Sequence, residues 1–400
     1  MSNYKRTTII LVLLGAGLFL FQVASYGWGF LAHKMINRKA VEALPDAMQP
    51  FFGKYQEYLA EHAIDPDLWR HGDSNEGVRH YIDIDMYGPY PFTELPRQYD
   101  AAIQKFSADT VNSLGIAPWW IEKQFNRLVR LMKQGASDSL LIVAAAIGHY
   151  VSDLHMPLHT VENYDGQLTG NKGIHARFEA WMIEEYAHDI HLTVKPAEYI
   201  DDPLAFIFGV VMNSYQLADH LLQADNQSKT PGKVYGRRED YDKEYIASLY
   251  KESGAIAQSQ MSQAAWAVAS MWYSAWVKAG KPELKVTETL DPLLIAPKNY
   301  RVEFENEYLR VIREKYDPHE KTVMHEHSAG PILIVPLTDG HLRFTLPDGQ
   351  IIESRLRAGE TQWFSDEKRM PKHAVENLSD QPNEQLRIEI KARPVSQATK

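Results

Sequence analysis

Apolar residues follow two different patterns along the chain. From Trp28 to about Gly280 they recur at spacings of three and four, the signature of amphipathic helices. The stretch Asp100–Lys133 follows this pattern, with Pro118 as an expected break. Ser139–Asp153 contains the run Leu140-Leu141-Ile142-Val143-Ala144-Ala145-Ala146-Ile147, which predicts a helix buried on all sides and ending before Pro157. Ile174–Ala187, Pro203–Gln223 and Tyr241–Lys278 also read as helices, and no strand pattern interrupts them. Residues 281–298, with Pro282, Pro292 and Pro297, lose the periodicity and read as a linker. Beyond it come short β-type runs: Tyr300–Glu305, Tyr308–Arg313, Ile332–Leu337, His341–Leu346, Gln350–Arg355 and Leu386–Ile390. Asp339-Gly340 and Asp348-Gly349 are hairpin signals. The expected architecture is two domains, all-α over 28–280 and an all-β barrel or sandwich over 299–395.

Residues 1–27 stand apart from both. Lys5 and Arg6 precede an apolar run from Ile9 to Ala24, and Ser25-Tyr26-Gly27 follows. This basic, apolar, small order predicts a signal peptide and a periplasmic or secreted chain. The alternative is an uncleaved membrane anchor, since the run approaches the ~20 residues a spanning helix needs.

Composition narrows the chemistry. The 9 Trp, 21 Tyr and 14 Phe of the 400 residues supply ample core material, so a disordered chain is excluded. There is no cysteine, hence no disulfide and no thiolate metal site, whereas 16 histidines favour a metal held by nitrogen and oxygen. The formal net charge is −10, and loss of Lys5 and Arg6 with residues 1–27 makes it −12. That excludes a protein that tracks the nucleic-acid backbone by charge, but not a nuclease whose cations are metal ions.

Four groups of potential ligands lie in the helical part. His149 and Asp153 are four apart on the apolar helix, so both face one side, and His159 follows the Pro157 break. A carboxylate on such a face is costly without a cation. His175 and Glu179 are again four apart. Upstream stand Asp65, Asp67 and Arg70, then His80 in Arg-His-Tyr-Ile-Asp. Trp28 is followed by His33 on the first turn of a helix. Each group alone is as consistent with a surface pair or a satisfied core histidine.

Taken in order, the set resembles the zinc-dependent phospholipase C and S1/P1 nuclease superfamily. In that family the mature chain begins with Trp, a His follows five residues later, and an H-x₃-D-x₅-H motif lies mid-chain. Trp28/His33 and His149/Asp153/His159 match these spacings, and His80 and His175/Glu179 match the remaining positions. The resemblance implies an exported phosphodiester hydrolase with three Zn2+ ions. The first would take Asp67, His80, His149 and Asp153. The second would take His159, His175 and Glu179. The third would take the amino nitrogen and carbonyl of Trp28, with His33 and the bridging Asp153. Cleavage after Gly27 follows from this set, because an amide nitrogen cannot replace a free amine as a ligand. Asp65 and Asp67 both suit the early position; Asp67 is preferred because Arg70 stands three residues on. Asp67 would also orient the attacking water. Arg70 reads as a phosphate contact or as a solvated cation, and Tyr81 and Tyr150 as cleft walls or core.

The substrate divides the family. His-x₃-Glu at 175–179 and the lack of cysteine lean toward a phospholipase C, whereas the Asp67/Arg70 and His-Tyr-Ile-Asp contexts resemble the single-strand nucleases. Phospholipid and single-stranded nucleic acid are the two expected substrates, with no obligate protein partner. A non-catalytic exported metal- or ligand-binding protein is the rival reading. His155 lies between motif positions and should tolerate substitution.

In the β part, His325-Glu326-His327 and Pro371-Lys372-His373-Ala-Val-Glu-Asn377 resemble the two metal motifs of a cupin barrel. Pro331 and Ile332 stand where a cupin places its Glu. The resemblance implies a single divalent metal on His325, His327 and His373, or a barrel kept for binding or stability.

Overall fold

The computed structural model describes residues 28–390 apart from 71–72, 136, 287–290, 306–307, 328–329, 366–369 and 371. The expected signal peptide, Pro371 and the last ten residues lie outside the described residues. Among those described, no helix is long and apolar enough to cross a membrane.

The amino-terminal part is helical. Its main elements are α1 (Phe30–Glu42), α2 (Asp65–Trp69), α3 (Ala117–Gln134), α4 (Ser137–Asp153), α5 (Pro203–Ser228) and α6 (Lys243–Lys278). α4 is the central element and packs against α1, α3 and α6. Its Leu141, Ala144 and Ile147 are fully buried. Each such leucine or isoleucine contributes roughly 1.5–3 kcal/mol. Asp202 and Asp242 start α5 and α6 by accepting from the amides of Ala205 and Tyr245 at 3.0 Å each.

Two helical expectations are corrected. Asp100–Lys133 breaks at Ser107 (φ 73°) and Gly115 (φ 89°), not at Pro118. Pro118 sits in the first turn of α3, where its missing N–H costs nothing. Ile174–Ala187 is not one α-helix: Ile174–Ala176 leads into a π-helical turn at Arg177–Met182 and then Ile183–Glu185. Residues 281–298 also hold structure. Asp291 caps a short helix, Pro292–Ile295, whose Leu293 and Leu294 are buried.

Among the described residues the carboxy-terminal part has eight strands: β1 (Tyr300–Glu305), β2 (Leu309–Tyr316), β3 (Ile332–Pro336), β4 (Gly340–Thr345), β5 (Ile351–Leu356), β6 (Gln362–Phe364), β7 (Ala374–Asn377) and β8 (Asn383–Ile390). They form two antiparallel sheets, β1-β2-β8-β3-β6 and β5-β4-β7. The expected barrel does not close. The segment carrying His325 joins β7 only through isolated bridges, Lys321 with Glu376 and His325 with His373, so no continuous strand seals the ring. β6 and β7 were not legible as strands, being three and four residues long. β1 packs against α2, the helix that carries Asp67.

Candidate metal centre

Three segments deliver the helical cluster. α4 presents His149 and Asp153 on one face, one turn apart, both fully buried. The chain turns at Pro157–Thr160 and places His159 beside them; its Nδ1 donates to the His80 carbonyl at 2.8 Å. The turn containing His80 thereby locks to the turn after α4.

The hydrogen bonds away from the cluster fix each ring. His149 donates from Nδ1 to the Ala63 carbonyl at 2.7 Å, and His175 to the Tyr164 carbonyl at 3.0 Å. The Ser152 hydroxyl donates to the His149 carbonyl, so its lone pair accepts from His33 Nδ1 at 2.8 Å. In their neutral form these three histidines and His159 therefore turn an Nε2 lone pair inward. His80 is reversed. Its Nδ1 lies 2.9 Å from Asp153 Oδ2 and 3.0 Å from His149 Nε2. Its Nε2 faces the Glu76 carboxylate at 3.4 Å. Glu76 is itself buried and held by the Tyr150 hydroxyl and by Arg79.

Inward, the groups converge. Asp153 lies 3.4 Å from His33, 3.2 Å from His149 and 3.9 Å from His159. Asp67 lies 3.7 Å from His80 and 3.8 Å from His149. His159 and His175 bring their Nε2 atoms to 3.1 Å, and Glu179 is 2.8 Å from His175. Three trios have ligand atoms within 4.8 Å of one another: His80/His149/Asp153, His159/His175/Glu179 and His33/Asp67/His149. The last differs from the expected Trp28/His33/Asp153 grouping, since His33 reaches both acids. Asp65 is elsewhere, paired with His62 at 2.7 Å. The geometry thus separates the two early acids and places Asp67 at the cluster.

Trp28 seats beside these groups. Its ring is buried 5.7 Å from Phe178, and its Nε1 donates to the Ser152 carbonyl at 2.8 Å, in the last turn of α4. The π turn opens the Glu179 carbonyl to an outside donor, the Gly29 amide, at 3.1 Å. A Cβ on Gly29 would lie 3.0 Å from Ala180, so only glycine allows this approach without displacement.

The electrostatics follow from burial and neighbours. Burial pushes the Asp153 carboxyl upward, but His149 and then His159 outweigh it and hold it well below the usual carboxylate range. Burial pulls His149 down, yet Asp153 and Asp67 outweigh it and raise it to about 9. Burial dominates at Glu179, raised to about 8, and at His159, lowered to about 3.

A cleft of about 250 Å³ opens beside the cluster, lined by Arg70, Tyr81, Asp83, Leu158, His159, Tyr164 and His175. Burial, then Asp85 and Glu162, push Asp83 up to about 7. Arg70 lies 3.9 Å from Asp67. Tyr150 is packed at Glu76, away from this cleft lining. His155 is buried apart from the cluster, donates to the Val151 carbonyl and lines a separate cavity.

Glu76, Ser152, Asp83 and Tyr164 were not singled out in the sequence. Glu76 had a usable signal, four residues before His80. Ser152, beside Asp153, had none.

A second group lies in the β part. His325, His327 and His373 are buried with ligand atoms within 4.8 Å of one another. They adjoin a cavity of about 290 Å³ lined by Ile332, Leu342, Phe344, His327, His373 and Arg387, among others.

No protein-family model and no curated protein matches the chain. Solved cupin structures do, over the carboxy-terminal β region. A cupin domain from Bordetella pertussis Tohama I is 30% identical over 23% of this chain and 92% of its own, with a TM-score of 0.21. The cupin domain of an XRE family transcriptional regulator from Enterobacter cloacae is 20% identical over 24% and 96%, with a TM-score of 0.19. A cupin superfamily protein from Desulfitobacterium hafniense is 16% identical over 23% and 76%, with a TM-score of 0.18.

Proposed function

We propose that residues 28–280 form a zinc-dependent phosphodiester hydrolase of the phospholipase C and S1/P1 nuclease kind, exported and matured by loss of residues 1–27. One observation carries this reading. His33 Nε2, both Asp67 oxygens, Asp153 Oδ1 and Glu179 Oε2 are buried without a hydrogen-bond partner, and all belong to one cluster. Each such atom costs about 1–3 kcal/mol unless a cation satisfies it. The donor set, imidazole and carboxylate without thiolate, suits zinc. Asp67, His80, His149 and Asp153 would hold one ion; His159, His175 and Glu179 a second; Trp28, His33 and Asp153 a third. Zinc supplies a Lewis acid for the phosphoryl oxygen and lowers the pKa of water toward ~7.

The chain's own groups do the rest. Glu76, Ser152 and three backbone carbonyls fix the ligand rings. Asp67 would accept a hydrogen bond from the attacking water and so orient it. Asp83, neutral up to about pH 7, approaches a phosphodiester without repelling it and donates a hydrogen bond. For the substrate, a phospholipase C activity is favoured by exposed Met86, Tyr164 and Leu168. They flank two segments tied by the Glu162 amide to Asp85 at 3.0 Å, next to the cleft. Tyr81 and Asp83 together favour the second reading, a single-strand nuclease, because a ring and a hydrogen-bonding carboxyl suit a base.

The deciding experiment is a metal count on the mature chain with parallel assays on phosphatidylcholine and single-stranded nucleic acid. Three zinc ions and turnover of either substrate are expected; a zinc-loaded chain inactive on both would defeat the hydrolase reading.

Two pH effects follow. A chain stripped of metal holds protons on His149 and Glu179 at pH 7, because both groups are raised above it. Zinc must expel them, so affinity should rise with pH up to about 9. Titration in unbuffered solution should release acid; a pH-independent affinity would contradict these assignments. Asp83 is raised to about 7 without metal and nearby zinc lowers it from there, so kcat/KM should fall as pH rises through its ionisation at or below about pH 7, and Asp83→Asn should flatten that limb.

A further inference from the structure

We propose that Tyr300 is the fourth donor of a metal site in the β part, standing in for the carboxylate that the His325/His327 motif lacks. Ile332, at the place expected for that carboxylate, lines the apolar cavity instead. The Tyr300 hydroxyl lies 2.9 Å from His325 Nε2. His325 donates from Nδ1 to the Val323 carbonyl at 2.9 Å, so this Nε2 is the lone pair the triad offers. The Tyr300 ring sits 4.9 Å from that of His325 and 5.5 Å from that of His327. His325 and His373 exchange backbone hydrogen bonds at 2.8 and 2.9 Å, which holds the two imidazoles in register.

The surroundings fit a donor rather than a filler. Tyr300 is fully buried, and its hydroxyl meets the Tyr316 hydroxyl at 2.9 Å. Tyr316 also lies 3.2 Å from Glu314, and once Tyr300 loses its proton the Tyr316 hydroxyl turns to donate to the Tyr300 oxygen. Three imidazoles and one phenol oxygen suit copper(II) or iron(III). On coordination the oxygen–metal bond forms, the O–H bond breaks, and one proton leaves to solvent. The site is separate from the helical cluster, and its failure leaves the hydrolase reading untouched.

The full chain, its helical cluster first loaded with zinc, is titrated with copper(II) and followed in the visible. A phenolate-to-copper charge-transfer band is expected, missing in Tyr300→Phe and kept in Tyr316→Phe, with copper affinity lowered about tenfold in the first. Thermal unfolding checks that Tyr300→Phe is folded. If it is not, the wild-type spectrum against His327→Ala decides. Copper bound by the triad without such a band, a band that survives Tyr300→Phe, or no copper bound there would each overturn the assignment.

Discussion

Asp153→Ala is expected to abolish metal loading and turnover together. Its carboxylate lies 2.9–3.9 Å from His33, His80, His149 and His159, so four imidazoles from four segments meet on one group. Without it the ions assigned to the first and third sets lose a shared anionic ligand. A loss of several kcal/mol in transition-state stabilisation corresponds to at least about 10³-fold in kcat/KM. The measurement is metal content by mass spectrometry beside kinetics. Asp65→Ala is the matched control. Asp65 is also a buried aspartate, but it pairs with His62, and its loss should lower stability while leaving the zinc count intact. Full metal content in Asp153→Ala would remove the bridging role.

The second large effect concerns residue 28. A chain that begins at Trp28 should bind one zinc ion more than the same chain retaining Gly27. An amide nitrogen has its lone pair in the peptide resonance, whereas a free α-amine, with a pKa near ~8, can coordinate. The seat exists: Trp28 is buried, its indole is held at the end of α4, and Gly29 is docked on Glu179. Intact mass fixes the terminus, and metal analysis gives the count. Equal counts for the two chains would take Trp28 out of the ligand set. Activity should fall at least about tenfold with the extension.

The helical elements were legible where one force dominated. The uninterrupted apolar run at 140–147 could bury itself only as a helix in the middle of the fold, and it does. The His149/Asp153 spacing was equally plain, because four residues on a helix is a geometric statement. What could not be read was tertiary. Asp65 and Asp67 have the same chemistry two residues apart, and only the path of the chain separates them. His80 presents Nδ1 rather than Nε2, which faces the Glu76 carboxylate at 3.4 Å. The β part was harder still. β8 turns Asn383, Gln385, Arg387 and Glu389 inward, and its aliphatic residues lie on the opposite face. The usual inference from polarity to exposure fails there, because Gln385 and Arg387 form part of the wall of a mostly apolar interior cavity.

A π turn carries one residue more than an α-helical turn, so Arg177–Met182 is sensitive to length rather than to composition. Removing Ala180 would let this wide turn close to α-helical geometry. The Glu179 carbonyl would then be drawn into the helix's own hydrogen bonds, and the Gly29 amide would lose the acceptor it docks on. At Gly29 the chain is moored to a backbone atom, the Glu179 carbonyl. Drift in residue type at exposed positions along this helix is therefore tolerated, while a single-residue deletion would unship the whole amino-terminal segment.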